Sequence, residues 1–256
     1  MRIVLVGAGG LATNLGLALH EAGHDVLAVF SRTMEHARIL AERIGSQPTD
    51  DICMLPHAAD LFIVSVKDAV LTDVVQQLVQ GREEQFFAHT AGSMPLELFQ
   101  GPAHHYGVFY PMQSFSKERR INFSEIPVFL EASDVQTLTL LKTLSATLTP
   151  HIYELSTDER RYLHLAAVFA CNFANHCYAL SAEILQQHGL PFNVMLPLID
   201  ETARKVHHLS PLEAQTGPAV RYDLNVINKQ QQLLDDPAMK ELYERLSKSI
   251  YQHAKS

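Results

Sequence analysis

The sequence predicts an α/β protein, with a doubly wound, mostly parallel sheet in its first half and an all-helical region after it. Short apolar runs alternate with helical stretches over the first half, as buried parallel strands and their crossover helices do. The texture then changes, because no Gly or Pro occurs between Pro150 and Gly189. We therefore expect a sheet domain over residues 1–155 and a helical domain over residues 156–256.

The composition is that of a globular chain with a full core. Of 256 residues, 47% are hydrophobic and 19% are charged, which excludes disorder and collagen-like fibre. The formal net charge of −8 lacks the basic character of a nucleic-acid binder. No uncharged apolar stretch reaches membrane-spanning length, so we expect neither a nucleic-acid nor a membrane partner. The 3 cysteines are too few for a disulfide framework, which favours a reduced, cytoplasmic protein.

The predicted elements of the first half follow one another as strand, loop and helix. Helices are expected at about 11–22, 34–44 and 69–80. The predicted strands are residues 2–6, 25–30, 61–66 and 85–89, with further strands at about 105–109, 126–131 and 151–154.

The second half opens with a helix start signal. Ser156 and Glu159 have the spacing of a capping box. The run Leu163–Leu185 is apolar on nearly every side, which predicts a long helix buried in a bundle or in a subunit interface. Two more helices are expected at about 191–207 and 237–253.

A glycine-rich loop follows the first strand directly. Gly7-Ala8-Gly9-Gly10-Leu11-Ala12 matches G-x-G-x-x-A between a strand and a helix. Gly7 permits a tight turn, Gly9 lets a pyrophosphate approach the backbone, and Ala12 allows close packing of helix on sheet. The helix N-terminus then offers free N–H groups to the anion. The loop predicts a Rossmann-type dinucleotide site, and a purely structural glycine turn is the alternative.

The end of the second strand indicates which dinucleotide binds. An NAD site usually carries an acidic residue there, whereas this chain has Ser31, Arg32 and Thr33. A guanidinium flanked by two hydroxyls suits a 2′-phosphate, so we expect NADP as the cofactor. The alternative leaves Arg32 as a solvated surface residue and Thr33 as a helix N-cap.

Polar groups follow three other predicted strands. Ligands of open parallel sheets lie beyond the carboxyl ends of the strands, although turns with capping hydroxyls would look the same in sequence. The further candidates for cofactor binding are Ser65, Val66, Lys67, Thr90, Ala91 and Gly92. The candidates for substrate binding in these loops are Ser93, Tyr110, Pro111, Met112 and Gln113.

The sequence also resembles a known family. The segments that carry the resemblance are 6–9, 31–33, 108–116, 167–172 and 216–223. They are similar to the bacterial family of predicted NADP oxidoreductases that join a Rossmann-like domain to an uncharacterised helical domain. That family is similar in layout to pyrroline-5-carboxylate reductase and to the 6-phosphogluconate dehydrogenase superfamily. The resemblance implies a homodimer built by the helical domain, with substrate in the cleft between the domains.

The chain departs from the superfamily at one position. The better-known dehydrogenases carry a Lys four residues before an Asn on the long helix, whereas Val168 and Cys171 precede Asn172 and Asn175 here. Their proton relay is therefore not expected in this protein.

A different proton donor is expected on the same helix. His164 and Asn172 are spaced to share a helix face, with Asn175 near it. We expect His164 to donate a proton, Asn172 to polarise the substrate or hold the nicotinamide, and Asn175 to contact the substrate. The alternative is that these polar side chains only bond neighbouring backbone.

Two further sets of residues carry weaker signals. Arg221 is a candidate for binding a substrate carboxylate or phosphate, or else pairs with Asp223. The pairs His104–His105 and His207–His208 lack other ligands at metal-site spacing, so no metal is expected.

The combined prediction is an NADP-dependent oxidoreductase that works as a cytoplasmic homodimer. It would transfer hydride between NADP(H) and a small carbonyl, imine or hydroxy compound. Two alternatives stay open, an imine reductase like pyrroline-5-carboxylate reductase and a non-catalytic NADP-binding sensor or assembly protein.

Overall fold

The computed structural model describes residues 1–255 and has two compact units, Met1–Asn175 and His176–Ser256. Residues 156–175 thus belong by their contacts to the unit that contains the sheet. The functional boundary near residue 155 stays a prediction.

The first unit is built on one eight-stranded sheet, which confirms the predicted Rossmann-type α/β fold. The strand order is β3-β2-β1-β4-β5-β6-β7-β8, and only β6 and β7 pair antiparallel among the described strands. The strands are β1 (Arg2–Val6), β2 (Asp25–Phe30), β3 (Gln47–Thr49), β4 (Leu61–Val64), β5 (Phe86–His89), β6 (His105–Pro111), β7 (Val128–Ala132) and β8 (Ile152–Glu154).

Helices cover both faces of this sheet. They are α1 (Gly10–Glu21), α2 (Met34–Ile44), α3 (Asp68–Val79) and α4 (Val135–Ala146). After β8 come α5 (Thr157–Ala167) and a π-helical segment, Val168–Phe173. Side chains of β1 alternate between two cores, because successive residues of a strand face opposite sides. Ile3 and Leu5 pack with α1, α2 and α4, whereas Val4 and Val6 pack with α3.

The second unit is helical, as predicted. Its helices are α6 (Ala174–Gln187, which begins at the end of the first unit), α7 (Leu196–Lys205), α8 (Pro211–Ala214), α9 (Pro218–Arg221), α10 (Leu224–Gln232) and α11 (Pro237–His253). None of the helices over residues 1–255 has the length and apolar character of a membrane span.

The helical stretch after residue 156 is less buried than the sequence predicts. The capping box of Ser156 and Glu159 is confirmed. However, Leu165, Phe169 and Phe173 are 54%, 64% and 50% exposed, so burial in a bundle of this chain is wrong. No other part of residues 1–255 packs over these three side chains. The alternative of a subunit interface stays a prediction.

Candidate functional site

The glycine-rich loop forms a tight turn between β1 and α1. Gly7 has a φ of +131°, which side-chain-bearing residues rarely adopt, and its N–H donates to the Phe30 carbonyl at 2.8 Å. A Cβ on Gly7 would also overlap the carbonyl oxygen of Ser65. The turn therefore holds the ends of β1, β2 and β4 close together, and only glycine fits there.

The N-terminus of α1 opens onto free space. A Cβ on Gly9 would meet no protein atom within 4 Å, so a phosphate group has room beside this backbone. Gly10 has a different role, because its Cβ would lie 2.7 Å from the Phe115 carbonyl oxygen. Ala12 is fully buried, as close packing of α1 on the sheet requires.

A cavity of about 360 Å³ adjoins this loop and brings together most of the predicted cofactor residues. Three cations, Arg32, Lys67 and Lys117, line it, and no carboxylate does. None of the three forms an ion pair within residues 1–255. The predicted residues that line this cavity are Gly7, Ala8, Gly9, Ser31, Arg32, Thr33, Ser65, Val66 and Lys67.

The end of β2 has the arrangement expected for a 2′-phosphate site. Arg32 is exposed at the cavity wall. Thr33 occupies the N-cap position of α2, but its side chain accepts no capping hydrogen bond. The hydroxyl thus remains available to a ligand, in contrast to the interpretation of Thr33 as a simple cap.

Lys117 reaches this cavity on the loop between β6 and β7, and sequence reasoning missed it. Asn14 of α1 holds that loop, since its Nδ2 donates to the Ser116 carbonyl at 2.8 Å and its Oδ1 accepts from the Ile121 N–H at 3.0 Å. The sequence feature that could have indicated this loop contact is a polar residue on the buried side of α1. Asn14 is only 3% exposed. Asn14 is therefore a positioning residue for the loop.

A second cavity, of about 520 Å³, contains the predicted catalytic pair. Both His164 and Asn172 line it, even though Asn172 lies in the π-helical segment, which changes the helical register. The lining residues are Tyr110, Met112, Gln113, Ser114, Leu163, His164, Ala166, Ala167, Val168, Ala170, Cys171 and Asn172.

Tyr110 and His164 are hydrogen-bonded to each other in this wall. The Tyr110 hydroxyl lies 3.0 Å from His164 Nδ1, and the rings meet edge to face. Burial raises the pKa of Tyr110, so the phenol keeps its proton at neutral pH. It can then donate to Nδ1, which leaves Nε2 as the proton-bearing nitrogen of neutral His164.

The side chains of His164 and Tyr110 leave no room for a side chain at Gly92. A Cβ there would lie 2.6 Å from His164 Nδ1 and 3.0 Å from Tyr110 Cζ. The close approach is thus to the side chains of Tyr110 and His164 rather than to a ligand.

Arg160, which sequence reasoning missed, shapes the loop that contains Gly92. Its side chain is 1% exposed, and its Nη1 donates to the carbonyls of Ala91, Gly92 and Met94 at 2.9, 3.1 and 2.7 Å. Its Nη2 pairs with Glu131 at 2.8 Å. A buried arginine fixed in this way is a positioning residue. The sequence feature that could have indicated this role is an arginine directly after the capping-box Glu159. It lies on the buried face of α5.

Several other predicted residues lie outside both cavities. Leu11 packs against the core, and Thr90 is buried, its N–H donating to the Val64 carbonyl. Ser93 donates its hydroxyl to Asp68, and Pro111 is buried within β6. The roles expected of these residues stay predictions.

The remaining two substrate candidates are exposed. Asn175 lies at the end of the first unit and lines neither cavity. Arg221 lies in α9 of the second unit. It does not pair with Asp223, whose carboxylate instead caps α10 at the Val226 N–H.

The histidine pairs do not form a metal centre within the described residues. No group of three or more His, Cys, Asp or Glu side chains there is arranged to hold a metal ion. His104 and His105 instead face different carboxylates, Glu84 at 2.9 Å and Asp134 at 3.1 Å.

Comparisons with known proteins agree with this architecture. Residues 1–110 match a Rossmann-like domain, and residues 126–250 match a domain of unknown function, DUF2520. The crystal structure of "putative NADP oxidoreductase BF3122" from Bacteroides fragilis is 53% identical, with a TM-score of 0.95 over 98% of each chain. No curated protein matches the sequence.

More distant structures share the fold alone. An imine reductase from Myxococcus stipitatus in complex with NADP+ is 14% identical over 100% of this chain and 93% of its own, with a TM-score of 0.69. A pyrroline-5-carboxylate reductase from Coxiella burnetii is 18% identical over 99% and 97%, with a TM-score of 0.61.

A Rossmann-like domain with a cation-lined cavity at its glycine loop, followed by a helical domain, defines a two-domain class of dinucleotide-binding proteins. Within that class, the chain belongs to the family of the Bacteroides fragilis protein, with a Rossmann-like N-terminal and a DUF2520 C-terminal domain. The resemblance drawn from the sequence is confirmed.

Proposed function

We propose that the protein is an NADP-dependent oxidoreductase that transfers hydride between NADP(H) and a small carbonyl, imine or hydroxy compound. The observation that carries the proposal is the cavity at the glycine loop, where three cations without an ion pair in residues 1–255 line open space at a helix N-terminus, and no carboxylate of these residues lines it. An anion with several phosphates fits this charge and shape. The 53% identity to the Bacteroides fragilis protein, whose structure is named "putative NADP oxidoreductase", supports the same cofactor.

Different residues of this cavity would bind different parts of NADP. Gly9 and the first turn of α1 would hold the diphosphate, whereas Arg32, with Ser31 and Thr33, would bind the 2′-phosphate. Lys117 adds a second cation from the loop that Asn14 holds. When bound, NADPH supplies a hydride.

The second cavity supplies the proton. His164 donates it from Nε2, which has no hydrogen-bond partner within residues 1–255. Tyr110 acts as a positioning residue, because its bond to Nδ1 fixes the orientation of the imidazole ring. Asn172 lines the same cavity wall and would donate to a carbonyl oxygen. A non-catalytic NADP sensor would need none of these groups, so the cavity favours an enzyme.

We also propose that the enzyme is a cytoplasmic homodimer without a nucleic-acid partner. The three cysteines are free, which suits a reducing compartment. The exposed apolar side chains that follow α5 suit a subunit interface.

Cofactor titration of the Arg32→Ala variant tests the choice of cofactor. Loss of a charge-assisted hydrogen bond should weaken NADPH binding by about 10- to 100-fold and leave NADH binding unchanged. Arg38→Ala is the matched control, since Arg38 is an exposed arginine of α2 that pairs with Glu35 and Glu42 instead of lining the cavity. Equal binding of NADPH and NADH by the unmodified protein would contradict the assignment.

A further inference from the structure

The cavity beside Tyr110 and His164 has an unusual charge composition for a site in a reductase. Apart from Tyr110, His164 and Cys171, its lining contains no titratable side chain, and no Asp, Glu, Lys or Arg lines it. Half of its lining residues are alanine, leucine, valine or methionine. Besides those three side chains, the polar groups are the neutral amides of Gln113 and Asn172 and the hydroxyl of Ser114.

The two arginines closest to His164 in the sequence are both engaged elsewhere. The guanidinium of Arg160 is buried and donates to three carbonyls and to Glu131. Arg161 pairs with Asp158 at 3.3 Å. Neither lines the cavity, so α5 offers no guanidinium to a bound anion.

Charge matters here because an ionised group is costly to move from water into an apolar cavity. A carboxylate finds no counter-ion in this wall, and it loses part of its hydration against the apolar side chains that line it. An uncharged carbonyl or imine requires only a hydrogen-bond donor, and Asn172 and His164 both provide one.

The π-helical turn is an independent sign that this wall is a ligand site. Segments of this kind are rare and occur frequently at functional sites. Four residues of the segment Val168–Phe173 line the cavity, namely Val168, Ala170, Cys171 and Asn172.

We propose that the substrate is an uncharged small carbonyl or imine compound with an apolar body, rather than a keto acid, an amino-acid imine or a phosphorylated compound. This inference rests on the proposed function. In the reducing direction, bound NADPH would supply the hydride of the new C–H bond, and the π electron pair of the substrate would move to its oxygen or nitrogen. That atom takes the Nε2 proton of protonated His164, in which Nδ1–H donates to the Tyr110 hydroxyl oxygen, and water returns a proton to the imidazole.

Matched substrate pairs that differ by one carboxylate test the proposal with the full-length protein. We would compare 1-pyrroline with 1-pyrroline-5-carboxylate and butanal with 4-oxobutanoate, following NADPH oxidation. The uncharged member of a pair should have a kcat/KM at least about 10-fold higher, since the carboxylate finds no counter-ion.

A variant comparison shows whether turnover occurs in this cavity. His164→Gln should lower kcat for the uncharged substrates by about 10²- to 10⁴-fold, as loss of a general acid does. NADPH affinity should not change, because His164 does not line the cofactor cavity. His151→Gln, an exposed histidine before β8, is the control.

Preference for the carboxylated members would overturn the inference, and a loss of that preference in Arg221→Ala would identify the counter-ion. Full turnover by His164→Gln would also overturn it, because the reaction would then not use this cavity wall. If no member of either pair is reduced, both the inference and the proposed hydride transfer fail. Turnover with the opposite charge preference refutes only the inference.

Discussion

At the scale of single residues, each glycine of the loop after β1 is explained by a different structural feature. Gly7 is required by its backbone conformation and by the Ser65 carbonyl. Gly10 is required by the approach of the Phe115 carbonyl, and the space beside Gly9 is open. The sequence motif predicts a tight turn at Gly7 and close approach of a pyrophosphate at Gly9, and the structure leaves only Gly9 without a packing reason.

This difference gives a prediction for two alanine variants. Gly7→Ala should lower the free energy of unfolding by about 3 kcal/mol or more, because strain at positive φ adds to a backbone clash. Gly9→Ala should keep wild-type stability within about 1 kcal/mol but bind NADPH at least about 10-fold more weakly. Urea unfolding and NADPH titration measure the two effects. A Gly9→Ala protein with wild-type affinity would show that no phosphate lies against this backbone.

His89 is a buried histidine at the end of β5. Its Nδ1 accepts from the Ala91 N–H at 3.1 Å, and its Nε2 donates to the Pro95 carbonyl at 3.3 Å. Burial, reinforced by the charge of Arg160, lowers the pKa of His89 to about 4. The folded protein therefore keeps His89 neutral at pH values where an unfolded chain protonates it.

Because the unfolded state binds this proton at higher pH, stability should fall as the pH drops from about 6.5 to about 4. The contribution of His89 to this loss is about 3 kcal/mol. Urea unfolding at pH 7 and pH 4.5 should show a smaller loss for His89→Asn, whose amide retains an acceptor for the Ala91 N–H. Other acid-sensitive groups, such as His24, are present in both proteins and cancel in the comparison. Equal losses of unfolding free energy in the wild type and in His89→Asn would show that other groups cause the acid sensitivity.

At the scale of elements, the sequence predicted those with a strong local pattern. All of the predicted strands are present, and α2 and α11 have the predicted bounds. The short strand β3 was missed because it has three residues and contains Pro48 at the edge of the sheet. The helix α4 was missed because its threonines and its valine favour strands, although Asp134 caps it.

The candidate site was likewise predictable only where a local sequence pattern encodes it. The cofactor cavity follows from a local motif and from strand ends, which sequence order reveals. Lys117, Asn14 and Arg160 depend on where a long loop and a distant helix pack, and no local pattern encodes that path. The Tyr110–His164 hydrogen bond joins residues 54 positions apart, so only the fold could bring them together.

The loop between β6 and β7 should depend on Asn14. Asn14→Ala removes the bonds to Ser116 and Ile121, so the free energy of unfolding should fall by about 2–3 kcal/mol. NADPH affinity should fall as well, since Lys117 lies on the same loop. Thermal unfolding and cofactor titration measure both quantities, with exposed Asn193→Ala as the control. Unchanged NADPH affinity in a destabilised Asn14→Ala protein would exclude a role for the loop in binding.

At the scale of the whole molecule, the exposed apolar side chains after α5 suit the subunit interface that we propose. Phe169 and Phe173 meet edge to face with ring centroids 4.9 Å apart, and both remain largely exposed. Apolar side chains exposed next to one another are typical of protein interfaces, whereas single ones are not. A second copy of the chain is the partner that the proposed homodimer supplies.

Sedimentation velocity tests this partner. The unmodified protein should sediment as a dimer, and Phe169→Glu should shift it toward monomer by placing a charge in the interface. Met54→Glu should have no effect, because Met54 is 73% exposed on a separate short helical turn. A monomeric wild-type protein, or a dimer that tolerates Phe169→Glu, would refute the assignment of this surface.

The antiparallel pairing of β6 with β7 has a consequence for synthesis on the ribosome. The match to the Rossmann-like domain ends at residue 110, but β6 pairs along its length with residues 128–132. A nascent chain that has emerged only to residue 110 thus exposes an unpaired edge, to which another nascent chain can add. The edge is protected only after about twenty more residues have emerged, so slow translation over that stretch would favour aggregation between neighbouring ribosomes.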